Sequence, residues 1–175
     1  DYFKETLRYC ADYFSGCSLE ISLARGDTRD SSSKDVTPEE YRDIVDYFNS
    51  IKLAKKRNKP FSRLLDAMER RVNSQVVKIM ETGKMPSTCY AYSKLIVIQS
   101  NGDVFPCEYL GKKLGSLREY NYDIMKILND KKNKKIEKSV RKHECCCTWE
   151  CALMNNQVCN PAVYPSVFRE LFFGK

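Results

Sequence analysis

The strongest constraint in this sequence is the placement of its nine cysteines among 175 residues. Five crowd into CCCTWECALMNNQVC (145–159), and two more, Cys89 and Cys107, bracket a largely apolar stretch. Adjacent cysteines pair poorly with one another, because a disulfide demands a narrow range of separation and torsion. Spacings of one and three residues suit thiolates that converge on a metal. A secreted domain stapled by disulfides would carry a leader. The start, DYFKETLRYCADYFSG, is amphipathic and mixes acidic with basic residues, unlike a secretory leader. A reducing, cytoplasmic setting is therefore expected. Because the sequence opens on Asp1 and not Met, it reads as starting inside a longer protein. No run of 18 apolar residues occurs, so no transmembrane helix and no membrane partner is expected.

The formal charge of +7 raises the question of nucleic acid. Much of it lies in KKNKKIEKSVRK (131–142), where Ile136 and Val140 recur at a helical interval. That pattern reads as a solvated helix face over a thin apolar stripe, with a docking patch for an acidic partner as the lesser alternative. Nucleic acid is not expected as a partner.

Along the chain, the first 20 or so residues read as a helix broken at Ser15-Gly16. LEISLAR (19–25) alternates apolar and other residues, a strand pattern, and GDTRDSSSKD reads as a polar loop. Thr37-Pro38-Glu39-Glu40 is a helix start: Thr37 caps, Pro38 fits the first turn and Glu40 closes a capping box. Tyr41, Ile44, Val45 and Phe48 share one side of that helix. After KKRNKP (55–60) a second helix is expected from about Phe61 to Glu81, ending near Gly83. Composition then shifts, placing a boundary near residue 85, between units 1–85 and 86–175. KLIVIQSNGDVFPCEYL (94–110) reads as two strands joined at Asn101-Gly102, a hairpin signal. A helix near Tyr122–Asn129, the lysine-rich helix, the cysteine segment and a short helix near Tyr164–Phe172 complete the chain.

A hairpin brings its ends together, so Cys89 and Cys107 can be neighbours, with Gly102 free to take positive φ at the turn. Cys145, Cys147 and Cys151 supply further thiols, while Cys146 cannot readily point the same way as both neighbours and reads as spare. Cys159 could serve a second cluster. On spacing alone, a structural zinc and an iron–sulfur cluster fit equally well. Cys10 and Cys17 read as free structural thiols. His143, the only histidine, reads as a surface residue, and Trp149 as a shield keeping water from a bound metal group. Glu108 reads either as an acceptor for a backbone amide or Arg118, or as a solvated carboxylate. No Ser/His/Asp set, catalytic Cys–His pair or glycine-rich phosphate loop is present.

The run CYAYSKLIVIQSNGDVFPC, a Cys–x12–Gly–x4–Cys pattern, resembles the opening of the SPASM and twitch domains of radical SAM proteins. LGKKLGSLREYNYDIMKIL resembles the stretch that follows in that family, and CCCTWEC resembles the downstream cysteines of one subgroup. The resemblance spans 89–160. It implies an α+β fold: the tail of a radical SAM partial α/β barrel, then a SPASM- or twitch-like hairpin with helices and a cysteine-rich loop. It implies an auxiliary [4Fe–4S] cluster, with Cys89, Cys107, Cys147 and Cys151 as ligands and Cys145 as the leading substitute. Only the final Cys147-x3-Cys151 spacing of the fuller SPASM run is present, which favours one auxiliary cluster over two. LEISLARGDTRDSSSKDVTPEEYRDIV resembles a late strand, loop and helix of the barrel, which would place Arg25 at the SAM or substrate cavity.

The Cys-x3-Cys-x2-Cys motif that holds the catalytic cluster in that family is absent, so this sequence by itself cannot cleave SAM. By the resemblance, the intact protein would bind SAM and a second [4Fe–4S] cluster through residues upstream of Asp1. Its substrate would be a peptide, a protein or a small metabolite, and flavodoxin or ferredoxin its reductant. The competing expectations are a zinc-stabilised module contacting nucleic acid or protein, and a structural fragment that docks on a partner.

Overall fold

The computed structural model describes residues 2–14, 17, 19–54 and 62–173; the break read at Ser15-Gly16, the stretch 55–60 and Phe61 lie outside these. Helix α1 spans Tyr2–Tyr13 and α2 spans Pro38–Ala54. The capping box forms as the sequence predicts. Thr37 N–H donates to Glu40 Oε2 at 2.8 Å, and Glu40 N–H donates to Thr37 Oγ1 at 3.2 Å. Both orphan amides are thereby satisfied. Helix α3 (Ser62–Thr82) packs on α2, burying Val72, Val76 and Ile79 near Tyr41 and Val45.

LEISLAR is not a strand. Residues 19–25 are extended but join no sheet. Their side chains still alternate: Leu19, Ile21, Leu23 and Arg25 are partly covered, and Glu20, Ser22 and Ala24 are exposed. Ile21 and Leu23 pack on the core. Alternation encodes a two-faced environment and says nothing about a ladder partner, and no described residue supplies one.

The hairpin is present, shorter than predicted. Strands β1 (Val97–Ile98) and β2 (Asp103–Phe105) pair antiparallel, with Val97 opposite Phe105 and Ile98 opposite Val104. Gly102 turns at φ 89°, and Asn101 Oδ1 accepts from Asp103 N–H at 2.9 Å. A third strand that the sequence reading did not foresee, β3 (Gly115–Ser116), pairs with β2 to give the order β1-β2-β3. A Cβ at Gly115 would stand 3.2 Å from Tyr120 Cε2, so the glycine lets the Tyr120 and Ile127 side chains approach the sheet.

Helices α4 (Ile124–Asn129) and α5 (Lys131–Arg141) each begin at an aspartate cap, Asp123 and Asp130. Helix α5 shows the expected thin stripe: Val140 is buried, Ile136 half-buried, and the lysines lie outside. Its Asn133 is also buried, and its Nδ2 donates to Leu114 O at 2.9 Å and Ile127 O at 2.8 Å. One side chain thus ties α5 to α4 and to the approach of β3. Asn133→Ala strands the buried Leu114 carbonyl while Ile127 O keeps the Asp130 amide at 3.3 Å, so we expect a loss of about 1–2 kcal/mol, read as a lower urea midpoint with an unchanged slope.

The cysteine segment is only partly a loop. Residues 145–149 are irregular, but Glu150–Cys159 form helix α6, followed by α7 (Tyr164–Phe173). Helix α6 buries Glu150, Ala152, Leu153, Asn156 and Gln157. Three of those five are polar, which blurs any apolar stripe and hides the helix from a hydrophobic pattern. Gln157 Nε2 donates to Met68 O at 3.1 Å, fixing α6 on α3. The whole is α+β, mainly helical with a small antiparallel sheet. One core cluster draws on both sides of residue 85, joining Tyr41 and Val76 to Cys89, Trp149 and Leu153. Among the described residues, no helix is long and apolar enough to cross a membrane.

Candidate metal centre

The hairpin, the irregular stretch 145–149 and the start of α6 bring four thiols to one part of the core. Cys89 and Cys107 are buried there, and Cys145 and Cys147 pack against the same cluster as partly buried neighbours. These sulfurs act on one another electrostatically. Cys107 raises the Cys89 thiol, Cys89 and Cys107 raise Cys145, and all three raise Cys147. Trp149, 9% exposed, sits in that cluster with Leu153, and Met154 packs against it.

Backbone amides are turned toward three of the sulfurs. Leu110 N–H donates to Cys107 Sγ at 3.2 Å. The Ala91 amide lowers the Cys89 pKa and the Trp149 amide lowers that of Cys147, each by a hydrogen bond to the sulfur. Tyr92 helps set the first of these turns. It holds φ 73°, unusual for a bulky residue, and its amide donates to Leu95 O at 2.8 Å and Pro106 O at 3.1 Å. Asn156 was missed by the sequence reading because α6 was missed. Its Oδ1 accepts from Tyr90 N–H at 2.8 Å, and its side chain favours the ionised form of Cys89.

Burial is the main influence on the thiols themselves. It pushes Cys147 up to about 11, and it raises Cys89 and Cys145 as well. Without a cation, these groups are held protonated while unfolded thiols already ionise near pH 8.5. Their contribution to stability is complete below that value and is lost as pH rises through the folded pKa. We expect the metal-free protein, kept reduced, to lose stability steadily between about pH 8.5 and about pH 11. Urea melts across that window check it; a flat midpoint would contradict it. A bound cation reverses this bias, because it favours thiolate.

Cys151 stands apart. It is exposed, in the first turn of α6, and its leading charged neighbours are Glu20, Glu150, Glu108 and Arg25. Cys146 is exposed, and Cys159 ends α6 with its thiol donating to Asn155 Oδ1 at 3.6 Å. Cys10 is half-buried in α1 and Cys17 is exposed. His143 is exposed at φ 58°. Glu108 is exposed, while Arg118 lies over Gly102 at the hairpin turn. Arg25 is held by its own chain: its guanidinium pairs with Glu150 Oε2 and donates to Thr148 O at 3.1 Å. This clasp fastens the extended segment to the N-terminus of α6.

Four thiols in one largely dry pocket, with amides aimed at three of them, fit a thiolate-bound iron–sulfur group. Among the described residues, no three His, Cys, Asp or Glu side chains close on a point as single-ion ligands.

Residues 89–152 match the family model of SPASM, an iron-sulfur cluster-binding domain. The matched span opens on Cys89 and closes just past Cys151. No curated protein and no solved structure matches the chain.

Proposed function

We propose that Cys89, Cys107, Cys145 and Cys147 hold one auxiliary [4Fe–4S] cluster in the C-terminal region of a cytoplasmic radical SAM enzyme. The observation that carries the ligand set is the grouping of these four thiols, with hydrogen bonds from Ala91, Leu110 and Trp149 amides to three of the sulfurs. Cys151 is the reserve ligand, exposed in the first turn of α6 two residues past Trp149. When bound, such a cluster supplies a one-electron donor and acceptor. The protein's own part is to position the thiolates, to stabilise their negative charge with amides, and to exclude water with Trp149 and Leu153.

In this reading, residues 1–85 belong to the end of a partial barrel, with α2 as a late barrel helix preceded by the extended segment 19–25. Residues before Asp1 would carry the cluster that cleaves SAM. The present region would relay an electron or hold the substrate, a peptide, a protein or a small metabolite, with flavodoxin or ferredoxin as reductant. The ordered cysteines and the SPASM match support it. An anaerobic redox titration followed by EPR tests the relay role. Reduced ferredoxin or flavodoxin should convert the loaded protein to a paramagnetic one-electron-reduced state. A loaded protein that neither reductant can reduce would rule out the relay.

A further inference from the structure

Away from the four thiols, the structure leaves a second group of polar atoms without partners. A cavity of about 380 Å³ opens where α3, α6 and the segment 19–25 meet, with Glu20, Glu69, Glu150, Asn155, Met154 and Val158 in its wall. Pockets that take small ligands span about 300–1,000 Å³. Glu150 is 6% exposed; Arg25 occupies its Oε2, while Oε1 has no partner among the described residues. Asn155 uses Oδ1 for the Cys159 thiol, and its Nδ2 is buried without an acceptor. Glu69 is neutralised by Lys52, but Glu20 makes no ion pair among the described residues. Buried polar atoms of this kind are costly unless something completes them.

The chemistry of the missing partner can be read from the wall. A buried, unpartnered carboxylate oxygen in the same wall as a second carboxylate calls for a cation that donates hydrogen bonds. A metal ion does not suit it, since no three metal-ligating side chains converge and Val72, Met154 and Val158 offer no oxygen. A guanidinium fork would want both oxygens of Glu150, and Arg25 already holds one. A compact ammonium on an apolar stem needs only the free oxygen and lays its methylenes on those apolar side chains.

We propose that this cavity binds a lysine-type side chain presented by a peptide. The ammonium donates to Glu150 Oε1 and Glu20, the stem lies along Val72, Met154 and Val158, and a neighbouring peptide carbonyl accepts from Asn155 Nδ2. Cys151 also lines the cavity, so the bound residue lies beside the cysteine segment. The proposal rests on the iron–sulfur reading for what that proximity serves, and not for the binding itself.

The test is calorimetric titration of the loaded protein, at low salt, with N-acetyl-lysine methylamide and with its uncharged counterpart N-acetyl-norleucine methylamide. The lysine probe should bind about tenfold more tightly or better. Glu150→Gln would also disturb the Arg25 clasp, so Glu20→Gln and Asn155→Ala carry the test. Each should weaken the lysine probe several-fold while iron content and visible absorbance stay unchanged. Equal affinity for the two probes, or lysine binding untouched in both variants, overturns the proposal. The two readings fail separately: a colourless protein that still selects lysine defeats the cluster alone, and a brown protein blind to the charge defeats only this pocket.

Discussion

Anaerobic reconstitution of a Cys107→Ala protein should yield well under half the iron of the parent and lose most of its brown colour. Cys146→Ala should load normally. The contrast follows from where the two thiols lie. Cys107 is buried at the end of the hairpin, receives an amide from Leu110 and faces Cys89, Cys145 and Cys147. Alanine at this position removes one of the four thiolates and leaves the iron there without its ligand. Cys146 is exposed between two partly buried neighbours, and its thiol acts on the group through the adjacent Cys145. The same geometry separates Cys145 from Cys151. Cys145→Ala is expected to behave as Cys107→Ala does, and Cys151→Ala as Cys146→Ala does. Iron and sulfide assays on the four variants check all of this in one series.

The second large effect concerns Arg25. Arg25→Ala should cost about 3 kcal/mol of stability, because it abandons the Glu150 carboxylate in a buried position. Glu150 is 6% exposed and its other oxygen is already unpartnered, so no nearby donor is ready to replace the guanidinium. The cost reflects the unpaired charge more than any intrinsic strength of the pair. The double variant Arg25→Met with Glu150→Leu should therefore regain most of the loss. Denaturant melts of the two single variants and the double one measure it. A loss under about 0.5 kcal/mol for Arg25→Ala would mean that the clasp is worth no more than a surface ion pair.

Some of this was open to inspection in the residues alone. The hairpin followed from Asn101-Gly102 between apolar runs, and with it the meeting of Cys89 and Cys107. Helix α2 followed from Thr37 and Glu40, whose reciprocal bonds form as the capping pattern predicts. The SPASM resemblance read from Cys–x12–Gly–x4–Cys agrees with the family match over 89–152.

Other features depend on contacts that no local pattern records. Helix α6 turns two amides, Asn156 and Gln157, into the core, where they serve the backbone of Tyr90 and Met68. A hydrophobic periodicity cannot register such a face. Strand β3 is two residues long, defined by its pairing to β2 and by the missing Cβ at Gly115. The Arg25–Glu150 clasp joins residues 125 positions apart, a separation that no local pattern spans. The segment 19–25 displays strand alternation because one side meets the core, yet it lacks the neighbour that would make it a strand.

Mössbauer spectroscopy of the protein reconstituted with ⁵⁷Fe and sulfide tests the central assignment most directly. The four-thiol pocket predicts one quadrupole doublet of delocalised iron characteristic of a [4Fe–4S]²⁺ cluster, at about four irons per chain, and its disappearance in Cys107→Ala. A spectrum of unclustered ferric or ferrous iron, alongside a colourless protein that takes up one zinc instead, would contradict it.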